Sequence, residues 1–289
     1  MISSVGEKLG ISPRYRTVRL NLNEAPELLG LNLKSVDEVE TIEDTTIAGV
    51  PVRIYRPRNN LAQQQERPGL IFFHGGGLVL SNARSIIYNK ICSRFANVTQ
   101  AVVIWDNHSL CYICKPISVD YRRAPEHPFP AQFEDSYAVV TKVFEDSSKF
   151  GITKSKIAMA GDSAGALLTA PISVELAKEK GEKAIAAQVL MYPWVQAIDV
   201  TCLPSYQNYA QGHPLPTKKM AYFISLAATG KLDLEQEYLS GNISHYFMNT
   251  KYWKLLEIPK NAKCKNPLKQ TPGKLPTQFL ETVVDSPRL

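Results

Sequence analysis

Two short stretches hold the residue types that acyl-transfer chemistry needs. The first is Gly161-Asp162-Ser163-Ala164-Gly165, entered from the apolar segment Lys156–Ala160 and left through a helix-like run. That is G-x-S-x-G in a strand–turn–helix setting. The turn at the serine is sharp, so the positions two residues to either side must lack side chains, and Gly161 and Gly165 meet that need. Ser163 then stands above the sheet as a candidate nucleophile at a helix N-terminus, where the dipole favours developing negative charge. The second stretch is His74-Gly75-Gly76-Gly77, which ends the apolar run Leu70–Phe73. Three consecutive glycines weaken any strand or helix, so bare backbone must be needed there. A serine attacking an ester creates a tetrahedral oxyanion, and fixed hydrogen-bond donors around it are usually the largest single catalytic contribution. Gly75, Gly76 and Gly77 therefore read as an oxyanion loop, with Gly76 and Gly77 donating and Ala164, beside the nucleophile, as a third donor. A phosphate-binding loop and a plain turn are the other readings. No G-K-[ST] follows and the G-x-G-x-x-G spacing is absent, which disfavours nucleotide binding.

The elements that must position these stretches alternate along the chain. Val50–Tyr55 has period-two patterning, and Leu70–Phe73, Ala101–Ile104, Lys156–Ala160 and Ala187–Tyr192 read as strands. Arg84–Phe95, Ala131–Phe144 and Ala164–Lys180 have helical periodicity. Strands separated by helices of this length imply a mostly parallel sheet with helices on both faces. After Pro193 the pattern gives way to polar, aromatic and proline-rich sequence, which reads as a cap over the sheet. Pro171 lies inside the third helix and predicts a kink.

Composition narrows the function classes. With 289 residues, 44% hydrophobic and 21% charged, the chain suits one large globular domain or two small ones. Its net charge of +6 is local, because seven lysines between Lys251 and Lys274 face one acid, Glu257. That proline-bearing segment reads as a solvated loop, and without a basic helix carrying aromatics nucleic acid is not an expected partner. Cys92, Cys111, Cys114, Cys202 and Cys264 are too scattered for a disulfide scaffold, and the lone C-x-x-C lacks a second ligand pair for zinc. They read as incidental thiols, with no metal site. No run is long enough for a membrane span and no signal peptide opens the chain. Asn97, Asn107 and Asn242 begin glycosylation sequons.

HGGG at His74–Gly77, VDYRRAPEHPFPAQFED at Val119–Asp135, GDSAG at Gly161–Gly165 and LMYPWVQ at Leu190–Gln196 occur in that order. In this combination the chain resembles the hormone-sensitive lipase family of α/β-hydrolases, in its arylacetamide deacetylase branch. LPSYQ at Leu203–Gln207 and SVDEVETIEDTTIAGVPVRIYRP near the front carry the finer likeness. The resemblance implies an α/β-hydrolase fold and a cofactor-free carboxylic-ester or amide hydrolase for small lipophilic acyl substrates. It also implies a protein on the lumenal side of the endoplasmic reticulum membrane, held by an N-terminal anchor this chain does not show. His74 and His127 are structural by the same resemblance. The whole chain is expected to form one such domain: residues 1–45 a front arm, 46–195 the core sheet with the nucleophile, 196–289 a cap-like region and tail.

Two departures qualify that expectation. The family's triad runs Ser, Asp, His, and nothing after Ser163 resembles its aspartate loop. Only His213 and His245 follow the serine, both in the cap-like region. The C-terminal strands are expected to be missing and activity strongly impaired. A non-catalytic ligand binder and an unstable splice fragment are the alternative readings. Second, removing Trp105–Ile117 would restore an unbroken strand, AVVISVDYR, so residues 105–116 are expected to loop out of the sheet.

Overall fold

The computed structural model describes residues 15–16, 41–56, 67–98, 115–181, 184–197, 200–212 and 215–241. They divide into two compact units, the first holding the sheet and both motif strands, the second made of Gly77–Val79, Arg123–Gln132 and the chain from Trp194 onward.

In the first unit six strands line up: β1 (Thr41–Ile47), β2 (Val50–Arg56), β3 (Arg67–Phe73), β4 (Lys115–Val119), β5 (Ile152–Asp162) and β6 (Ala187–Met191), in the order β1-β2-β4-β3-β5-β6. The β1–β2 and β2–β4 pairs are antiparallel, and β3 pairs in parallel with both β4 and β5, as β5 does with β6. The mostly parallel sheet expected from the alternation is therefore present. Successive residues of a strand face opposite sides. Leu70 and Phe72 on one side and Ile71 and Phe73 on the other are all buried, so both faces of β3 are covered. Helix α1 (Ile86–Val98) covers one face, its Tyr88, Cys92 and Ala96 packing with Tyr55, Leu70, Phe72 and Ala160. Side chains the size of Leu70 and Phe72 each contribute roughly 1.5–3 kcal/mol by leaving water. Helix α2 spans Ala131–Glu145, and α3 covers Ala164–Lys180, continuing through Pro171.

β4 corrects one expectation. Residues 115–116 do not belong to a loop: Lys115 pairs with Gly69, Pro116 with Leu70 and Ile117 with Ile71 along β3. The antiparallel pairing with β2 starts only at Ile117, one residue beyond Pro116, so the proline's missing N–H interrupts no ladder on that side. The remainder of the supposed insertion, Trp105–Cys114, and the strand expected at Ala101–Ile104 lie outside the described residues, as do His213, His245, Asn107, Asn242 and the lysine-rich segment. The side chain of Asn97 does as well. A second correction concerns the cysteines. Cys92 is a free, buried thiol, whereas Cys202 is disulfide-bonded.

The second unit is helical: α4 (Pro204–Asn208), α5 (Thr217–Thr229) and α6 (Glu235–Ser240). Gly230 ends α5 in the left-handed region, where its N–H returns to the Leu226 carbonyl. Ser225 fixes the turn that follows, donating to Lys231 O at 2.8 Å and accepting from Leu234 N–H at 3.0 Å. No helix among the described residues is long and apolar enough to cross a membrane.

Candidate active site

Ser163 occupies the turn between β5 and α3 with φ 50° and ψ −115°, a conformation that costs a non-glycine residue on the order of 1–3 kcal/mol. Its neighbours show why that strain persists. A Cβ on Gly161 would come within 2.5 Å of the Gly165 carbonyl group, and one on Gly165 would strike the carbonyl oxygen of Phe73. Main chain thus crosses main chain at the elbow, and only glycine fits. The serine N–H donates to the Met191 carbonyl at 3.0 Å, and its carbonyl accepts from Leu167 N–H at 3.1 Å. The side chain makes no helix-capping hydrogen bond, so its hydroxyl is not committed to α3.

The His74–Gly77 loop leaves the end of β3, next to the strand that carries the serine. Gly75 N–H donates to Asp162 Oδ1 at 2.9 Å, which ties the glycine loop to the residue preceding the serine. The Tyr88 hydroxyl closes a ring on the same pair, accepting from Gly75 N–H at 2.8 Å and donating to Asp162 Oδ2 at 3.1 Å. Tyr192 adds a third donor to Asp162 at 3.3 Å. Burial pushes the Asp162 carboxyl above the usual carboxylate range, and the bonds from Tyr88, Gly75 and Tyr192 pull it back. Burial also pushes the Tyr88 hydroxyl upward, with the Asp162 carboxylate adding to the shift, so Tyr88 stays a neutral donor.

The carbonyls of His74, Gly75 and Gly76 are likewise occupied. His74 O accepts from the Tyr121 hydroxyl at 2.6 Å, and the two rings stack at 4.2 Å. Gly75 O lies 2.9 Å from His74 Nδ1, and since a carbonyl only accepts, Nδ1 carries the proton. Gly76 O accepts from Leu80 N–H at 2.8 Å. Arg122 holds the segment behind Tyr121, its backbone N–H and guanidinium both bonded to Asp135 of α2. Gly76 and Gly77 have φ of 105° and 65°, which glycine adopts freely. Among the described residues neither of their N–H groups has a hydrogen-bond acceptor.

Ser163, Asp162, Gly161, Gly165 and the start of the glycine loop thus come together, and within that loop Gly75 is set apart from Gly76 and Gly77. Gly75 cannot serve an oxyanion while its N–H is engaged by Asp162 and Tyr88. The fold supplies the cause, because Tyr88 and Asp162 lie far from Gly75 along the chain. His74 is fully buried, with its Nδ1 facing the Gly75 carbonyl. Within the second unit, Gly77 packs so near Phe223 that a Cβ would lie 2.8 Å from the ring. Tyr88 and Tyr192 went unread, one concealed in an amphipathic helix and the other following a strand.

Comparison with known proteins agrees with this geometry. A family model described as alpha/beta hydrolase fold matches residues 70–250. The chain is 31% identical over 285 residues to arylacetamide deacetylase of Mus musculus, covering 94% of this chain and 65% of the relative. It is 33% identical over 242 residues to the Rattus norvegicus protein of the same name, covering 82% and 55%. The chain therefore spans between about half and two thirds of these relatives' length. Among solved structures, a hyperthermophilic esterase from the archaeon Pyrobaculum calidifontis superposes with a TM-score of 0.60 at 31% identity, covering 85% of this chain and 73% of that one.

Proposed function

The chain belongs to the hormone-sensitive lipase family of α/β-hydrolases, and on that premise we propose that its site is that of a serine carboxylic-ester hydrolase of the arylacetamide deacetylase type. The Gly75–Asp162 bond carries this reading, because it couples a glycine loop to a strained serine turn. Ser163 Oγ attacks the carbonyl carbon of a small lipophilic ester or amide while its proton passes to a general base. The N–H groups of Gly76, Gly77 and Ala164 receive the oxyanion, and collapse expels the alcohol or amine to leave acyl-Ser163. Water then cleaves the acyl group. No cofactor enters these steps.

The base and its supporting acid are not assigned. The described histidines are His74 and His127. His74 serves the loop, and His127 lies in the APEHPFP segment that the family resemblance makes structural. We therefore propose that this chain alone turns over slowly, since losing a triad histidine costs ~10⁶-fold. Family resemblance also supports a place on the lumenal side of the endoplasmic reticulum membrane. The disulfide at Cys202 fits an oxidising compartment.

Incubating the purified chain and its Ser163→Ala variant with a fluorophosphonate probe and short-chain nitrophenyl esters tests the reading. Labelling at Ser163 that the variant abolishes is expected, with turnover far below the ~10 s⁻¹ median of working enzymes. Turnover that survives Ser163→Ala would refute the nucleophile. A folded but unlabelled protein would indicate a ligand binder instead.

A further inference from the structure

Resting on that reading, we propose that Tyr88 is a positioning residue that holds the oxyanion loop against the serine turn. An oxyanion hole works only if its N–H groups are already aimed before charge develops. In this chain each peptide plane leading to the Gly76 N–H is fastened by a group that is not a ligand. Tyr121 holds the His74 carbonyl and the His74 ring holds the Gly75 carbonyl. Asp162 and Tyr88 share the Gly75 N–H. Tyr88 touches both sides of the junction, accepting from the loop and donating to the residue before the serine.

Its ring is held firmly enough for that task. Tyr88 lies buried on α1, tilted against Phe72 at 6.0 Å between ring centres and against His74 at 5.6 Å. Without its hydroxyl, Asp162 Oδ2 would keep only the longer bond from Tyr192. The carboxylate could then turn about Cβ–Cγ and carry the Gly75 N–H with it. The next peptide, which ends in the Gly76 N–H, would lose its aim, with no contact to substrate removed.

The test uses the whole chain as Tyr88→Phe, with Tyr55→Phe as comparator, because Tyr55 donates a buried hydrogen bond to Asn89 of the same helix at 2.6 Å. The probe is 4-nitrophenyl diethyl phosphate, which phosphorylates an active serine and releases nitrophenolate. Tyr88→Phe is expected to lower the maximal phosphorylation rate about tenfold, less than the ~10²-fold or more of deleting a donor outright. The half-saturating concentration and the melting temperature should hold, and amide exchange should quicken over residues 74–77. Tyr55→Phe should change neither exchange there nor rate. An unchanged rate in Tyr88→Phe, or an equal loss in both variants, would overturn the assignment. If wild type folds but is not phosphorylated, the hydrolase reading fails and exchange alone decides: faster in the loop upholds the clamp, unchanged overturns it. Should Tyr88→Phe not fold, Asp162→Asn replaces it, since its amide nitrogen cannot accept from Tyr88, and the same rise in loop exchange is required.

Discussion

Asp162 is a buried acid facing three donors, and the two facts pull its titration in opposite directions. Burial dominates, so native Asp162 holds its proton to a higher pH than the 3.8 of an unperturbed aspartate. Between 3.8 and the raised native value the folded state therefore binds more protons than the unfolded one, and stability falls as pH rises. The contribution is fully present below 3.8 and is lost as pH passes through the native pKa. The amide introduced by Asp162→Asn cannot titrate. Thermal melts of wild type and Asp162→Asn across pH 3.5–7 should thus show the variant gaining on wild type as pH rises, whatever the offset between them. A gap moving the other way would mean that the hydrogen bonds outweigh burial. Asp44 has the opposite sign: Arg53 bonds it from β2 at 2.7 Å and holds its carboxyl below 3.8. Its stabilisation exists above 3.8 and is lost as pH falls through the lowered native value.

Among the elements, β4 is where pattern and structure part. The expected loop runs to residue 116, yet the strand begins at Lys115, and Ile117 is 1% exposed and pairs with Ile54 on one side and Ile71 on the other. Ile117→Ala should therefore cost about 2–5 kcal/mol, the usual range for emptying a buried aliphatic site. Urea unfolding measures it, and a loss below ~1 kcal/mol would mean the strand is not built from these residues. The cause of the misreading is physical. Lys115 and Pro116 carry no apolar pattern, so only their pairing with Gly69 and Leu70 marks them as strand. β1 was equally hard to see, since TIEDTTI has little apolar alternation and acquires its form by pairing with β2 along its whole length. By contrast Ala164–Lys180 was legible to the residue. The glycines that let main chains cross at the elbow also mark where β5 must stop and α3 begin. Hydrogen bonds between distant residues, such as those joining Gly75, Tyr88 and Asp162, leave no such local mark.

At the level of the whole molecule, the pairing of the last described strand bears on how the protein behaves in solution. The central strands β3 and β4 are paired on both sides, but β6 pairs only with β5 among the described residues. Ala187, Gln188 and Val189 are exposed there, Val189 by 46%. An open strand edge offers unpaired N–H and C=O groups to any other strand, and a second copy of this chain presents the same edge. The net charge of +6 gives some mutual repulsion, but much of its source lies between Lys251 and Lys274, far along the chain from β6. We therefore expect concentration-dependent self-association. Val189→Lys places a charge on the edge, the device natural sheets use against such pairing. As a substitution at an exposed position it should change stability by no more than about 0.5 kcal/mol. Sedimentation velocity over a concentration series should show wild type gaining mass while Val189→Lys stays monomeric, with equal melting temperatures. If wild type stays monomeric, or both associate alike, the edge is covered by residues beyond those described, and β6 is an interior strand.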